Sequence, residues 1–368
     1  MADYSKFIYP ERRSVATPDS LVNPDGTAVF GTFDKEFKQM DLVKLNKPTQ
    51  APNCMNKLKL TLWEAVEVNL KDGVLLLAVS DMALFGVTLV LFYDKNERKV
   101  HVWSLKQSSK ETIIAPNLLN GAECKAYTKS SHARYVNDFQ DGLATVEGHA
   151  ESDEEGKVEF DFKLERVSLP CVVSIPFGKN RPLYSQKDMF KVSGKLVYNG
   201  KEYAADANTC AVIDDHRGFY PRHAHYDWVS TMGRSVSGQE KYFGFNLTRN
   251  QSIDQDRYNE NIIWTEGATS LLTPVVFERS IPTLKYHKLK RKGENPDNVW
   301  TVKDEHGMVD LKFHVYDTFG MITHAKPIVN IDYFVAFGEL EGYMMGEDGT
   351  KYVLDGLMGI GEDKTIML

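Results

Sequence analysis

The stretch KVEFDFKL, Lys157 to Leu164, decides the fold. Val158, Phe160, Phe162 and Leu164 fall on one side of an extended chain, and Lys157, Glu159, Asp161 and Lys163 on the other. Only a period of two sorts these residues; a helix would scatter the four charges around its girth. The alternation returns in VDLKFHVY (Val309–Tyr316), in VNIDYFVAF (Val329–Phe337) and in LKLTLWEAVEVNL (Leu58–Leu70), where Glu64 alone interrupts the apolar row. The last run predicts a strand with one buried face, and VLLLAV (Val74–Val79) a more deeply buried strand.

Between such runs stand Asn199-Gly200, Asp72-Gly73, Asp348-Gly349 and Asn120-Gly121, pairs that accept the positive φ of tight β-turns. No convincing amphipathic helix of twelve or more residues is present, and the basic run KYHKLKRK (Lys285–Lys292) reads as a solvated hairpin or loop. The expected class is all-β, with tandem antiparallel barrels or sandwiches.

An internal echo suggests two domains. Trp63 precedes Gly73 by ten residues and then VLLLAV; Trp228 precedes Gly238 by the same interval and then YFGFNL. Leu169–Met189 carries three prolines and little alternation, so it reads as the connection. Domains are expected over 1–185 and 186–368.

The chain has 368 residues, 42% of them hydrophobic, and a net charge of −7 spread along its length. That balance offers no general attraction to nucleic acid or anionic lipid. The amino terminus lacks a signal-peptide core, and the longest nearly unbroken apolar stretch, Ala83–Tyr93, is too short to span a bilayer, so a cytoplasmic protein without a membrane span is expected. Cys54, Cys124, Cys171 and Cys210 show no CxxC spacing and read as reduced. No Walker loop, GxSxG elbow or nucleotide-fold glycine fingerprint occurs, and no cofactor is implied.

The densest polar stretch is DDHRGFYPRHAHYDW, Asp214–Trp228. His223, His225 and Asp227 form an H-x-H-x-D array, but nothing completes a ligand set at a recognisable spacing, so no metal is expected. For acid/base work, Asp214, Asp215, His216, His225 and Asp227 supply titratable groups and orienting partners, and Arg217 a permanent cation. The alternative is a structural clasp of Arg217 with Asp214 or Asp215. Tyr220, Tyr226 and Trp228 could wall a pocket, and Asn246, Tyr258, Asn259, Glu260 and Asn261 add amides and a carboxylate downstream.

The order of motifs resembles the bacterial domain-of-unknown-function family numbered 2804, and more distantly the lipocalin-like superfamily of carotenoid hydratases and AttH-type proteins. It covers roughly Gly31 to Asp363. The anchors are Lys59 to Trp63, the Tyr-Ser-Gln-Lys run ending at Lys187 with Gly194 after it, Asp214-x-x-Arg217-Gly218, Tyr226-x-Trp228, Gly244-x-Asn246, Glu260-Asn261 followed by Gly267, and Phe337-Gly338 with Gly342. The resemblance implies two tandem lipocalin-like β-domains with a pocket associated with the second. Asp215-His216 resembles the Asp-His pair by which carotenoid hydratases are thought to protonate an alkene, and Asp227 their later acid. Asp214, Arg217, Trp228, Asn246 and Glu260 match the closer family.

The function expected is a small-molecule enzyme of hydratase, isomerase, cyclase or lyase type, acting by proton transfer on a hydrophobic or partly polar ligand. A lipid or isoprenoid carrier is the alternative, and a carbohydrate-active enzyme the remoter one. Nothing in the sequence indicates the oligomeric state.

Overall fold

The computed structural model describes residues 3–325 and 329–367. The chain forms two curled antiparallel sheets, each in its own compact unit. One unit holds Arg13–Asn96 and His101–Tyr220; the other runs from Pro221 onward and includes Glu97–Val100 and the chain up to Arg12.

The first sheet runs, edge to edge, through Lys99–Ser108, Phe85–Asp94, Gly73–Asp81, Thr61–Asn69, Cys210–Gly218, Pro182–Tyr198, Gly156–Arg166, Leu143–Ser152, Ser131–Asp138, Ala122–Tyr127 and Thr112–Ile113. It curls far enough for distant strands to meet. The Tyr135 hydroxyl donates to the Leu77 carbonyl at 2.8 Å, and a Cβ at Gly86 would fall 1.9 Å from Thr112 Oγ1. Val66, Val68, Leu75, Leu77, Trp103, Tyr135, Phe160, Phe162, Phe190 and Ile213 share its core.

Glycine permits part of this curl. Gly194 has φ +115°, and a Cβ there would lie 2.0 Å from the Asp161 carbonyl oxygen on the paired strand. Gly194→Ala is expected to lower stability by about 1–3 kcal/mol, read as a shifted urea midpoint at unchanged slope.

The second sheet runs through Ala268–Leu271, Ile262–Thr265, Phe243–Arg249, His223–Gly233, Met358–Met367, Val329–Met345, Val309–Ala325, Asn298–Lys303 and Val276–Arg279. Its core gathers Val229, Phe245, Leu247, Ile263, Trp300, Leu311, Phe313 and Leu340. The architecture is all-β with two curled antiparallel sheets, as expected. Among the described residues no helix is long and apolar enough to cross a membrane.

The opening stretch lies in Gly156–Arg166, where buried and exposed residues alternate strictly. Both hairpins of the tryptophan echo are present, Thr61–Asn69 with Gly73–Asp81 and His223–Gly233 with Phe243–Arg249.

Three expectations are corrected. Leu169–Met189 does not connect domains: Cys171–Pro176 and Pro182–Tyr198 pair as a hairpin of the first sheet, and the units divide between Tyr220 and Pro221 rather than at 185. Alternation is missing there because Pro182–Phe190 is buried on both faces, polar residues included. Thr61–Asn69 likewise buries both faces, enclosing Glu67 as well as Glu64. The basic run belongs to a helix, Thr283–Arg291, with Tyr286 and His287 buried and Lys288, Lys290 and Arg291 in its last turn, where cations complement the helix dipole.

Candidate functional site

Cys210–Gly218 is a central strand, flanked by Thr61–Asn69 and Pro182–Tyr198. A strand sends successive side chains to opposite faces, so Asp214-Asp215-His216-Arg217 is two sites back to back. Asp215 stands in register with Glu64 and Gln186, His216 with Trp63 and Ser185, Asp214 with Ala65 and Lys187. All these strands belong to the first unit, which corrects the expectation that the second domain carries this stretch.

On the core-facing side, Arg217 grips Asp215 with two parallel bonds, Nε to Oδ1 at 2.8 Å and Nη2 to Oδ2 at 2.9 Å. It also donates to the carbonyls of Ala115 at 2.7 Å and Pro116 at 3.3 Å. Asp215 is fully buried and Arg217 nearly so, which makes the pair the clasp of the alternative reading. Beside it lies Glu64, which accepts from Asn137 Nδ2 at 2.7 Å. Burial first, and repulsion from Asp215 second, push the Glu64 carboxyl up to about 8, so it is a neutral acid at pH 7.

The polar lining continues along Pro182–Tyr198. Tyr184 donates to Gln186 at 2.8 Å, Gln186 to Asp188 at 2.7 Å, and Arg166 ties Glu36 into the same network. Desolvation raises Asp188 to about 6, with Arg166 restraining the rise.

The opposite face carries a different group. His216 Nε2 lies 2.7 Å from Lys187 Nζ, 2.9 Å from Asp214 Oδ1 and 2.9 Å from Ser185 Oγ. Lys187 Nζ also donates to Ser185 Oγ at 3.0 Å and lies 3.4 Å from Asp214 Oδ1. The imidazole is stacked against Trp63 at 4.6 Å and 16°, Trp63 against Tyr220 at 5.7 Å, and Tyr220 meets Phe177 edge-on. Burial works to raise the Asp214 carboxyl, but His216 and Lys187 outweigh it and hold the group below the ordinary range. Lysine, histidine, aspartate and serine thus meet in a nearly dry place, oriented by an aromatic stack.

The remaining expected residues lie in the second unit. Trp228 Nε1 donates to Asn246 Oδ1 at 2.6 Å, and Asn246 Nδ2 to the Glu260 carbonyl at 2.8 Å. Asn261 accepts from the Thr248 amide and donates to the Thr273 carbonyl, and Asn250 donates to the Glu260 carboxylate at 3.1 Å. Trp228, Asn246 and Asn261 therefore satisfy buried polar groups of the sheet. Tyr226 lies under the Lys364 ammonium, and Tyr258 closes a turn from its amide to the Asp254 carbonyl.

The H-x-H-x-D array is only partly assembled. His225 Nε2 lies 3.1 Å from Asp227 Oδ1, Asp363 supplies a third group, and His223 is exposed. Arg279 donates to Asp227 at 2.5 Å and approaches Asp363 at 3.3 Å, so a guanidinium already balances both carboxylates. The hydrogen bond to Asp227 raises the His225 pKa, favouring the protonated ring, which is no ligand. The trio is an ion-pair network, and Asp227 belongs to it in the second unit, whereas Asp214 and His216 belong to the first.

Sequence reasoning placed Ser185 and Lys187 only among the anchors of a resemblance, used Trp63 there and in the internal echo, gave none of the three a role in the site, and omitted Asn137, Asp188 and Arg166. The available signals were Glu64 breaking an apolar row and the polar run Tyr184–Asp188 inside a buried strand.

Among solved structures, the chain is similar to kievitone hydratase from Nectria haematococca, at 14% identity over 83% of this chain and 88% of that one, with a TM-score of 0.46. It is similar to an AttH-like protein from Nitrosomonas europaea at 12% identity, over 84% and 93% of the two chains, with a TM-score of 0.47. CghA is similar at 8% identity, over 84% and 89%, with a TM-score of 0.46. No match is found among curated proteins. The sequence profile of the domain of unknown function DUF2804 matches residues 12–366, almost the whole chain, and the protein belongs to that family.

Proposed function

We propose that the protein is a small-molecule enzyme that works by acid/base proton transfer, of hydratase, isomerase, cyclase or lyase type, with His216 as the group that takes and returns the proton. The observation that carries this reading is the position of His216 Nε2, between the donor-only ammonium of Lys187 and the carboxylate of Asp214 at 2.7 and 2.9 Å. Lys187 favours a bare lone pair on that nitrogen, and Asp214 favours a proton there. Partners for the bare nitrogen and for the protonated one thus stand within hydrogen-bond reach of the same atom, the geometry a general acid/base uses.

The neighbours have separate tasks. Trp63 fixes the plane of the imidazole, Ser185 holds the ammonium, and Lys187 supplies positive charge for an oxygen that becomes negative during reaction. The substrate class that suits these groups is a hydrophobic or partly polar molecule with an alkene, or an acidic carbon beside a carbonyl. Asp215 and Arg217 brace the strand from behind.

The mutual pairing of the four polar groups also suits a carrier, and native mass spectrometry separates the two. Wild type and His216→Gln are each offered a small-molecule extract of the source cells. An enzyme is expected to release a changed component, while His216→Gln, which keeps the walls, retains the unchanged molecule and converts it at least about a hundredfold more slowly. The same unchanged mass on both proteins would show a carrier, and neither adduct nor changed component would refute the reading.

A further inference from the structure

The basic run that the proposed chemistry leaves unused forms a charged face in the second unit. In the helix Thr283–Arg291, Thr283, Tyr286 and His287 are buried, while Lys285, Lys288, Arg291 and the capping Lys292 are exposed. At about 3.6 residues per turn those four cations fall within roughly 120° of one another, so they make one stripe. Among the described residues none of the four has an ion-pair partner, and Glu294 and Asp297 in the loop that follows pair with none of them.

The stripe works against the helix that bears it. Lys288 has like-charged neighbours three or four residues away in Lys285, Arg291 and Lys292, and such pairs repel. Cations in the last turn complement the helix dipole, but Lys285 stands in the first turn, where the dipole opposes it and no acid is present. In water alone this arrangement gains nothing, whereas an anionic surface facing the stripe gains from all four charges.

Beside the helix the sheet ends in exposed apolar residues. His287 Nδ1 meets Thr318 Oγ1 at 3.0 Å, and a Cβ at Gly320 would lie 2.8 Å from His287 Nε2, so the helix packs on Val309–Ala325 near Gly320. From there the strand runs on through five exposed residues, Met321 to Ala325. Ile322, 38% exposed, shares the face of Gly320 that meets the helix, and Met321, 36% exposed, points to the other side.

We propose that this face docks on an anionic lipid bilayer, with Lys285, Lys288, Arg291 and Lys292 on the headgroup phosphates and Ile322 and Met321 in the interfacial layer. Cations and exposed apolar side chains together are what a bilayer surface recognises. An acidic protein segment would engage the cations but leave Ile322 and Met321 without a role. The net charge of −7 is no obstacle, because charges beyond about 8 Å are screened at physiological salt and the bilayer meets the local stripe.

Co-sedimentation of the full chain with phosphatidylcholine vesicles, with and without phosphatidylserine, tests the docking. Wild type is expected to bind only the vesicles that contain phosphatidylserine, and less as salt rises. Replacing Lys285, Lys288, Arg291 and Lys292 together with glutamine should weaken binding at least about tenfold, given roughly fivefold per cation at an anionic surface. The milder pair Lys288→Gln, Arg291→Gln should give an intermediate loss, and Lys157→Gln, a cation of the first unit, should leave binding unchanged. Replacing Met321 and Ile322 with serine should weaken binding about fivefold or more without altering its salt dependence. Circular dichroism establishes that each variant is folded. No binding by wild type, binding undiminished in the fourfold variant, or an equal loss in Lys157→Gln would overturn the proposal. So would retention on soluble polyglutamate with none on vesicles, which would assign the stripe to an acidic protein instead.

Discussion

Replacing Arg217 with methionine is expected to destabilise the first unit by about 3–5 kcal/mol, because it strands the Asp215 carboxylate in the core. Asp215 is fully buried, both its oxygens are bonded by Arg217, and its neighbour across the register is Glu64, another acid. The same guanidinium tethers the Ala115 and Pro116 carbonyls, which lose their donor as well. The double variant Arg217→Met, Asp215→Leu should regain much of the loss, since removing both charges leaves none uncompensated. Urea unfolding of the two variants beside wild type checks this, and equal losses in both would show that the clasp acts by its shape and not by its charge.

Glu64→Gln is expected to change how stability depends on pH. In the unfolded chain this carboxyl titrates near 4.5; in the folded protein burial and Asp215 raise it to about 8. Between those values the folded chain keeps a proton that the unfolded chain releases, so the stabilisation is complete below the unfolded value and is lost as pH rises through the folded one. At about 1.4 kcal/mol per unit, the wild type loses roughly 4–5 kcal/mol across that window. Glutamine can still accept from Asn137 but cannot ionise, so this loss should vanish in the variant, whatever constant offset the new amide adds. Denaturation midpoints from pH 5 to pH 9 supply the measurement; parallel profiles for the two proteins would mean that Glu64 is charged in the folded state.

How much of this was legible in the sequence depends on what each strand faces. Gly156–Arg166 has one face on the core and one outward, so its side chains spell the period, and the all-β class follows from it. Pro182–Phe190 has both faces covered, so Ser185, Gln186, Lys187 and Asp188 are enclosed by partners and not by solvent, and the segment reads as a linker. The same period of two divides Asp214 and His216 from Asp215 and Arg217, an inference available from the strand alone. Their partners were not available: the register that sets His216 against Trp63 and Ser185 joins distant parts of the chain. Thr283–Arg291 escaped notice because nine residues give too few turns for a helical period, and packing of Tyr286 and His287 makes it a helix.

The proposed role of His216 is to move a proton to or from a bound small molecule. It is tested most directly by incubating wild type and His216→Gln with the extract of the source cells in deuterium oxide and comparing the recovered components by mass. A component that gains one deuterium at carbon, or the mass of one heavy water, is expected with wild type and not with the variant. Equal incorporation with both proteins, or incorporation lost in Arg217→Met but kept in His216→Gln while both remain folded, would contradict it and move the chemistry to the opposite face of the strand.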